Sequence, residues 1–166
     1  MDDTNRKELL LWAEKAAIES LKGHHASADV IAKEASTTLT IFLAAMGGGI
    51  AYALKLLEAG EWKWQAAGCA FFTVWFLVLS VLLVGKCLMI RAIPPVFNEP
   101  SNLYMPQFAY LDVIESELDG FQRRIAAVGK ENGRVVWWLN RLRMAAALSP
   151  VATALALWVG WWTVGA

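Results

Sequence analysis

Three stretches of the chain contain no charged side chain: residues 36–54, 66–85 and 144–166. At about 1.5 Å of rise per helical residue, the shortest is just long enough to cross roughly 30 Å of hydrocarbon. Lys55 and Glu58 close the first stretch and Lys86 closes the second. The third has Pro150 within its first two turns, which predicts a kink. The pattern therefore predicts three transmembrane helices.

Between these stretches the pattern changes from uniformly apolar to periodic. Residues 1–35 offer Asp3 and Thr4 as helix caps and then repeat every seven residues, with Leu11, Ile18, His25 and Ala32 in one column and Glu14, Leu21, Ala28 and Ala35 in the other. No proline separates this segment from the first span, so one helix is expected to run through both. Residues 55–65 form a short turn. Residues 86–107 hold Pro94, Pro95, Pro100 and Pro106 and predict a non-helical connector. Residues 108–143 carry the strongest periodicity: Leu111, Ile114, Leu118, Phe121, Ile125, Val128, Asn132, Val135, Leu139 and Leu142 alternate spacings of three and four, and nine of the ten are apolar. Such a stripe packs either on the N-terminal helix of its own chain or on another subunit, and both uses fit one bundle.

Composition agrees with a membrane protein. Hydrophobic residues make up 57% and charged residues 18%, too little charge to coat a globular surface of 166 residues. The net charge of zero suggests no surface for duplex nucleic acid. Placement of the charges is more telling than their balance. Of the 15 Lys and Arg residues, five precede the first span, two lie in the turn, eight lie between the second and third spans and none follows the third. By the positive-inside rule the N-terminus and the long middle segment are cytoplasmic and the C-terminus is external. Trp62, Trp64, Trp158, Trp161 and Trp162 would mark one bilayer face, with Trp137 and Trp138 at or just below the other. The polar N-terminus predicts no signal peptide, leaving the first span as the targeting signal.

In this topology the N-terminal helix and the heptad helix enter the membrane from the same side and must run roughly parallel. His25 and Asn132 then fall at nearly the same height, where a polar layer can fix register and oligomer number, or a histidine can sense pH or an anion. Gly120, Gly129 and Gly133 soften the heptad helix, costing about 1 kcal/mol each relative to alanine. Gly47, Gly48 and Gly49 in the first span, flanked by small residues such as Ala45 and Ala51, make either a surface for close helix approach or a flexible point in a pore-lining helix. Thr37, Thr38 and Thr40 would line the cytoplasmic entrance of such a pore or bond back to their own helix. Lys15, Lys22, Lys33, Arg123, Arg124, Lys130 and Arg134, repeated by symmetry, are candidates for an anion-binding ring; solvated faces and inner-leaflet contacts are the plainer reading. Lys86, Arg91, Arg141 and Arg143 read as juxtamembrane anchors.

Catalytic chemistry is poorly supplied. His24 and His25 are adjacent, about 100° apart on a helix, and no metal-ligand spacing, phosphate loop or nucleophile motif accompanies them. Cys69 and Cys87 lie about 27 Å apart along one helix and cannot pair with each other. No cofactor, metal site or enzyme activity is expected.

The layout as a whole, a short multi-pass chain with cytoplasmic helices able to oligomerise and uncharged, glycine-containing spans, resembles the small membrane effectors of nucleotide-controlled bacterial anti-phage systems of the CBASS, Pycsar and Hailong type. The resemblance is one of architecture and transfers no site residue. It implies an all-α, homo-oligomeric channel or pore, a tetramer or similar, in the bacterial inner membrane. It further implies a cyclic nucleotide or oligonucleotide ligand, a nucleotidyltransferase partner, and growth arrest by depolarisation. Two other classes share the layout: a phage-type holin, and a non-conducting scaffold that recruits a cytoplasmic partner.

Overall fold

A computed structural model describes residues 3–60, 64–89 and 93–164. Trp62, Lys63 and Arg91 lie outside them. Among the described residues the chain is helical with no strand. α1 spans Asp3–Glu58, α2 Trp64–Leu83, α3 Pro100–Leu103, α4 Tyr110–Ala147 and α5 Ser149–Val164, and a π-helical segment, Val84–Leu88, continues α2. α1 and α2 are each long and apolar enough to cross a membrane, and α4 with α5 adds a third crossing if that bent pair is one span. Only 11% of the most apolar 18-residue window of α1, and 28% of that of α2, is buried by the chain itself. Lipid or another chain must cover the rest.

α1 runs unbroken through 56 residues, past Gly23 and the triple glycine, and continues beyond Leu54 to Glu58. Its end is set by Gly60, whose φ of 68° is open to glycine at little cost and lets the Ala59 and Gly60 amides donate to Lys55 and Leu57 carbonyls at 3.1 Å. The kink expected near Pro150 is a 45° bend between α4 and α5 at Leu148. Proline lacks an amide donor and its ring clashes with the carbonyl four residues earlier, so the helix cannot pass straight through. The connector is not wholly non-helical as its prolines predict. Pro100 stands at the first position of α3, where a missing amide hydrogen costs nothing, and starts one short turn.

Two compact units divide the chain. The first comprises Met1–Ile31 and Ile90–Arg134, the second Ala32–Met89 and Val135–Ala166. In the first, Leu21, Phe121 and Val128 form a buried cluster flanked by Ala17, Ile18, Val96 and Ile125. In the second, Ala35, Phe42, Phe76, Leu79, Leu83, Leu139 and Leu142 form the core. The Phe42 and Phe76 rings meet edge to face at 5.6 Å, and α2 packs on α5.

Candidate functional site

The first unit joins the part of α1 up to Ile31 to the part of α4 up to Arg134, in parallel. Arg6 reaches Glu115 at 2.6 Å, and Asn132 Nδ2 donates to the His24 carbonyl at 2.9 Å; the partners are 109 and 108 residues apart in sequence. A near-constant offset means both helices advance in the same direction. Stripe residues Leu111, Ile114, Leu118, Phe121, Ile125, Val128 and Asn132 are all buried or half-buried here. The seam that periodicity offered to a neighbouring subunit is thus covered within one chain.

One column of the N-terminal repeat holds only in part. Glu14, Leu21, Ala28 and Ala35 turn inward as expected; of the other column Ile18 and His25 are half-buried, Ile18 against the core, while Leu11 and Ala32 are exposed, and Leu10, Ala17, His24 and Ile31 are half-buried beside them. In the polar layer Asn132 bonds the backbone of His24, not the ring of His25, and a Cβ added at Gly129 would lie 3.5 Å from the His24 ring. Gly129 therefore makes room for an imidazole. His25 is half-buried, and its Nε2 has no hydrogen-bond partner among the described residues. A column is easily misassigned where alanines and adjacent histidines fill it, because they give little contrast between faces.

A second polar cluster in this unit has no precedent in the periodic pattern. Glu117 and Arg124, two turns apart on α4, form an ion pair with side chains only 13% and 14% exposed. The Arg124 guanidinium lies 4.4 Å above the Phe121 ring, and Asn98 Nδ2 donates to the other Glu117 oxygen at 3.2 Å. Asn98 in turn accepts from Asn102 Nδ2 at 3.1 Å, tying the connector to α4. Beside this cluster lies a cavity of about 670 Å3 lined by Asn98, Asn102, Phe108, Ser116, Glu117 and Arg123 among others. Asp112 lines it as well, so amide, hydroxyl, guanidinium and two carboxylate groups surround an apolar floor, the ingredients of a site for a small polar ligand.

The candidate anion-binding residues are largely engaged. Lys22 pairs with Glu19 at 2.9 Å, Arg134 with Glu131 at 3.1 Å and Arg124 with Glu117, while Arg123 Nε donates to the Asp119 carbonyl at 3.3 Å. Lys15 and Lys130 are exposed in this unit; Lys33 is exposed in the other. Among the described residues no group of three or more His, Cys, Asp or Glu side chains could hold a metal ion.

In the second unit the stripe continues as Val135, Leu139 and Leu142, half-buried or buried against α1 and α2. Arg143 donates to Thr38 Oγ1 at 3.0 Å and to Glu34 Oε2 at 2.6 Å. Thr38 is consequently buried and does not line an entrance. Thr37 and Thr40 are exposed, and all three hydroxyls donate to the carbonyl one turn earlier. The triple glycine divides by face. Gly49 lets α2 approach, since a Cβ there would stand 2.7 Å from Thr73 Oγ1 and 3.1 Å from Phe72, whereas nothing lies within 4 Å of one at Gly47 or Gly48.

Gly68 is the packing residue that sequence reasoning passed over. A Cβ there would collide with the Leu157 side chain of α5. Its only sequence signal is a lone glycine in an apolar helix, which does not say what approaches it. Gly48, Gly49 and Gly68 also line an open groove of about 630 Å3 together with Cys69, Phe72 and Leu157. Cys69 and Cys87 do not pair with each other, and the Cys87 thiol donates to the Val135 carbonyl at 3.9 Å.

Comparison with protein-family models, with curated proteins and with solved structures finds no match.

Proposed function

We propose that this chain is a homo-oligomeric effector of the bacterial inner membrane that forms an ion channel or pore, gated through its cytoplasmic helical part by a nucleotide signal and acting by depolarisation. One observation carries the reading. The exposed positions of α1 in the second unit include Thr37, Thr40, Ala44, Gly47, Gly48 and Ala51, a run of small and hydroxyl-bearing residues along one side of a helix whose opposite side holds Ala35, Thr38, Phe42 and Leu56 in the core. Lipid gains nothing from such a surface over bulky aliphatic side chains. A second helix can approach its backbone closely, and water can meet its hydroxyls and carbonyls.

Two further features support assembly and gating. The first unit, the part rich in charge, nonetheless exposes Trp12 by 71%, Tyr104 by 79% and Tyr110 by 62%, apolar area that copies of the chain would cover. The cavity beside Asn98, Asn102 and Arg123, which the Asp112 and Glu117 carboxylates also line, is where a ligand would bind. A ligand that favours one packing of this unit shifts the population of channel states only by its difference in affinity between them. The unbroken α1 is the element that carries such a shift into the membrane, because it has no break to absorb it.

Reconstituted in potassium-loaded liposomes, the protein is expected to release the ion, with the rate changed by a cyclic nucleotide or short oligonucleotide. Vesicles that hold their gradient under every nucleotide condition would leave a non-conducting scaffold as the better reading. Release that no nucleotide alters would favour a holin-like permeabiliser.

A further inference from the structure

Glu14 is the carboxylate that interrupts an otherwise apolar inward column of the N-terminal repeat, in company with Leu21, Ala28 and Ala35. It is half-buried, and among the described residues no lysine or arginine forms an ion pair with it. Withdrawing a carboxylate from water is costly unless something positive reaches it. Glu14 lines an open pocket of about 330 Å3 in the first unit, together with residues of the connector and the start of α4. Tyr104, Phe108 and Tyr110 supply three aromatic rings, and Leu103, Val113 and Ile114 supply apolar wall.

The surroundings favour a cation. Glu117, the other carboxylate of the pocket, is already engaged by Arg124 and Asn98, which leaves the charge of Glu14 to be balanced. Among the described residues that line the pocket none is basic. From 92 to 122 the sequence has no lysine or arginine but five acidic residues, Glu99, Asp112, Glu115, Glu117 and Asp119. Arg6, which α1 brings to this stretch, is engaged by Asp112 and Glu115. Aromatic faces attract positive charge without needing a hydrogen bond from it, and an ammonium ion clothed in alkyl groups meets apolar wall at little cost in lost hydration. A metal ion finds no such welcome, since no group of three or more His, Cys, Asp or Glu side chains gathers among the described residues. An anion would be repelled by Glu14.

We infer that Glu14, Tyr104, Phe108 and Tyr110 form a binding site for a small alkylated ammonium ion of choline's chemistry. The carboxylate balances the charge, and the rings and apolar wall receive the alkyl groups. This is a cation site, separate from conduction and from any nucleotide signal.

Saturation-transfer NMR of the full-length protein in micelles of a deuterated non-ionic detergent, with empty micelles as the blank, reads the site with choline as the probe. Choline is expected to bind on the order of tenfold more tightly than its neutral analogue, in which carbon replaces the ammonium nitrogen, because the two differ in charge and hardly in shape. E14Q and Y110L should each weaken choline binding by roughly tenfold, with circular dichroism confirming helix content. E19Q, which removes a carboxylate of α1 outside the pocket, should bind choline as the wild type does. Equal binding of choline and its analogue to the wild type would overturn the inference without reference to any variant, as would undiminished choline binding in a folded E14Q. Choline affinity that falls as protein concentration rises would show a basic side chain of a second copy in the pocket and overturn the assignment to a free ligand.

Discussion

The same two helices, α1 and α4, run side by side in each unit, at offsets of 108 to 109 residues, but different side chains hold them together. In the first unit Leu21 meets Phe121 and Val128, and charged residues occupy the exposed faces. In the second, apolar residues occupy every face of α2, and the position of each helix is decided by where a side chain is missing: Gly49 against Thr73, Gly68 against Leu157. Burial by water-driven sorting leaves a periodic trace in sequence. Packing among helices that are apolar all round leaves almost none, because inward and outward positions have the same chemistry.

This contrast predicts a graded series of mutational effects. The largest belongs to the buried pair of the first unit. Glu117→Ala leaves the Arg124 guanidinium buried without its carboxylate and should cost about 3–5 kcal/mol. Limited proteolysis should then cut the 93–134 region sooner, and protection equal to wild type would show that water reaches the pair.

A smaller effect separates two glycines of the second unit. Gly68→Val drives a side chain into Leu157 and should destabilise the α2–α5 packing by about 1–3 kcal/mol, read as a lowered midpoint of unfolding in mixed detergent micelles. Gly47→Val meets nothing within 4 Å in the single chain and should leave that midpoint unchanged. A loss of assembly or conductance in Gly47→Val would then report on contact between copies. Equal midpoints for the two variants would mean that the α2–α5 contact relaxes without cost.

Smallest is the polar layer. Asn132→Ala removes one hydrogen bond to the His24 carbonyl and should cost about 1 kcal/mol, measured by thermal unfolding. His25→Ala should cost less, since its buried Nε2 has no partner among the described residues. The reverse order would place His25 at the seam, as the simple heptad column has it.

The legible part of the fold follows the same physical divide. Charge-free length revealed the apolar helices, Pro150 revealed the bend, and the stripe from Leu111 to Leu142 revealed a long amphipathic helix. Periodicity was silent on whether that stripe meets its own chain or another, because a covered apolar face looks identical in either case. One N-terminal column held at Ile18 and His25 but not at Leu11 and Ala32, because alanines and paired histidines blur the faces. At the candidate site, Thr38 lost its place at an entrance to Arg143, a partner 105 residues away that no local pattern discloses. The Glu117, Arg124 and Asn98 cluster was hidden for the same reason, as ion pairs on a helix read as solvated until the connector is seen to cover them.

The outward face of α1 is most directly tested by oxidative cross-linking in membranes, with Cys69 and Cys87 first replaced by alanine. Ala44→Cys on that face should form a disulfide-linked dimer, while Val81→Cys, 63% exposed on α2, should remain monomeric in lipid. Cross-linking through position 81 with none through position 44 would contradict the account and place the contact between copies on α2.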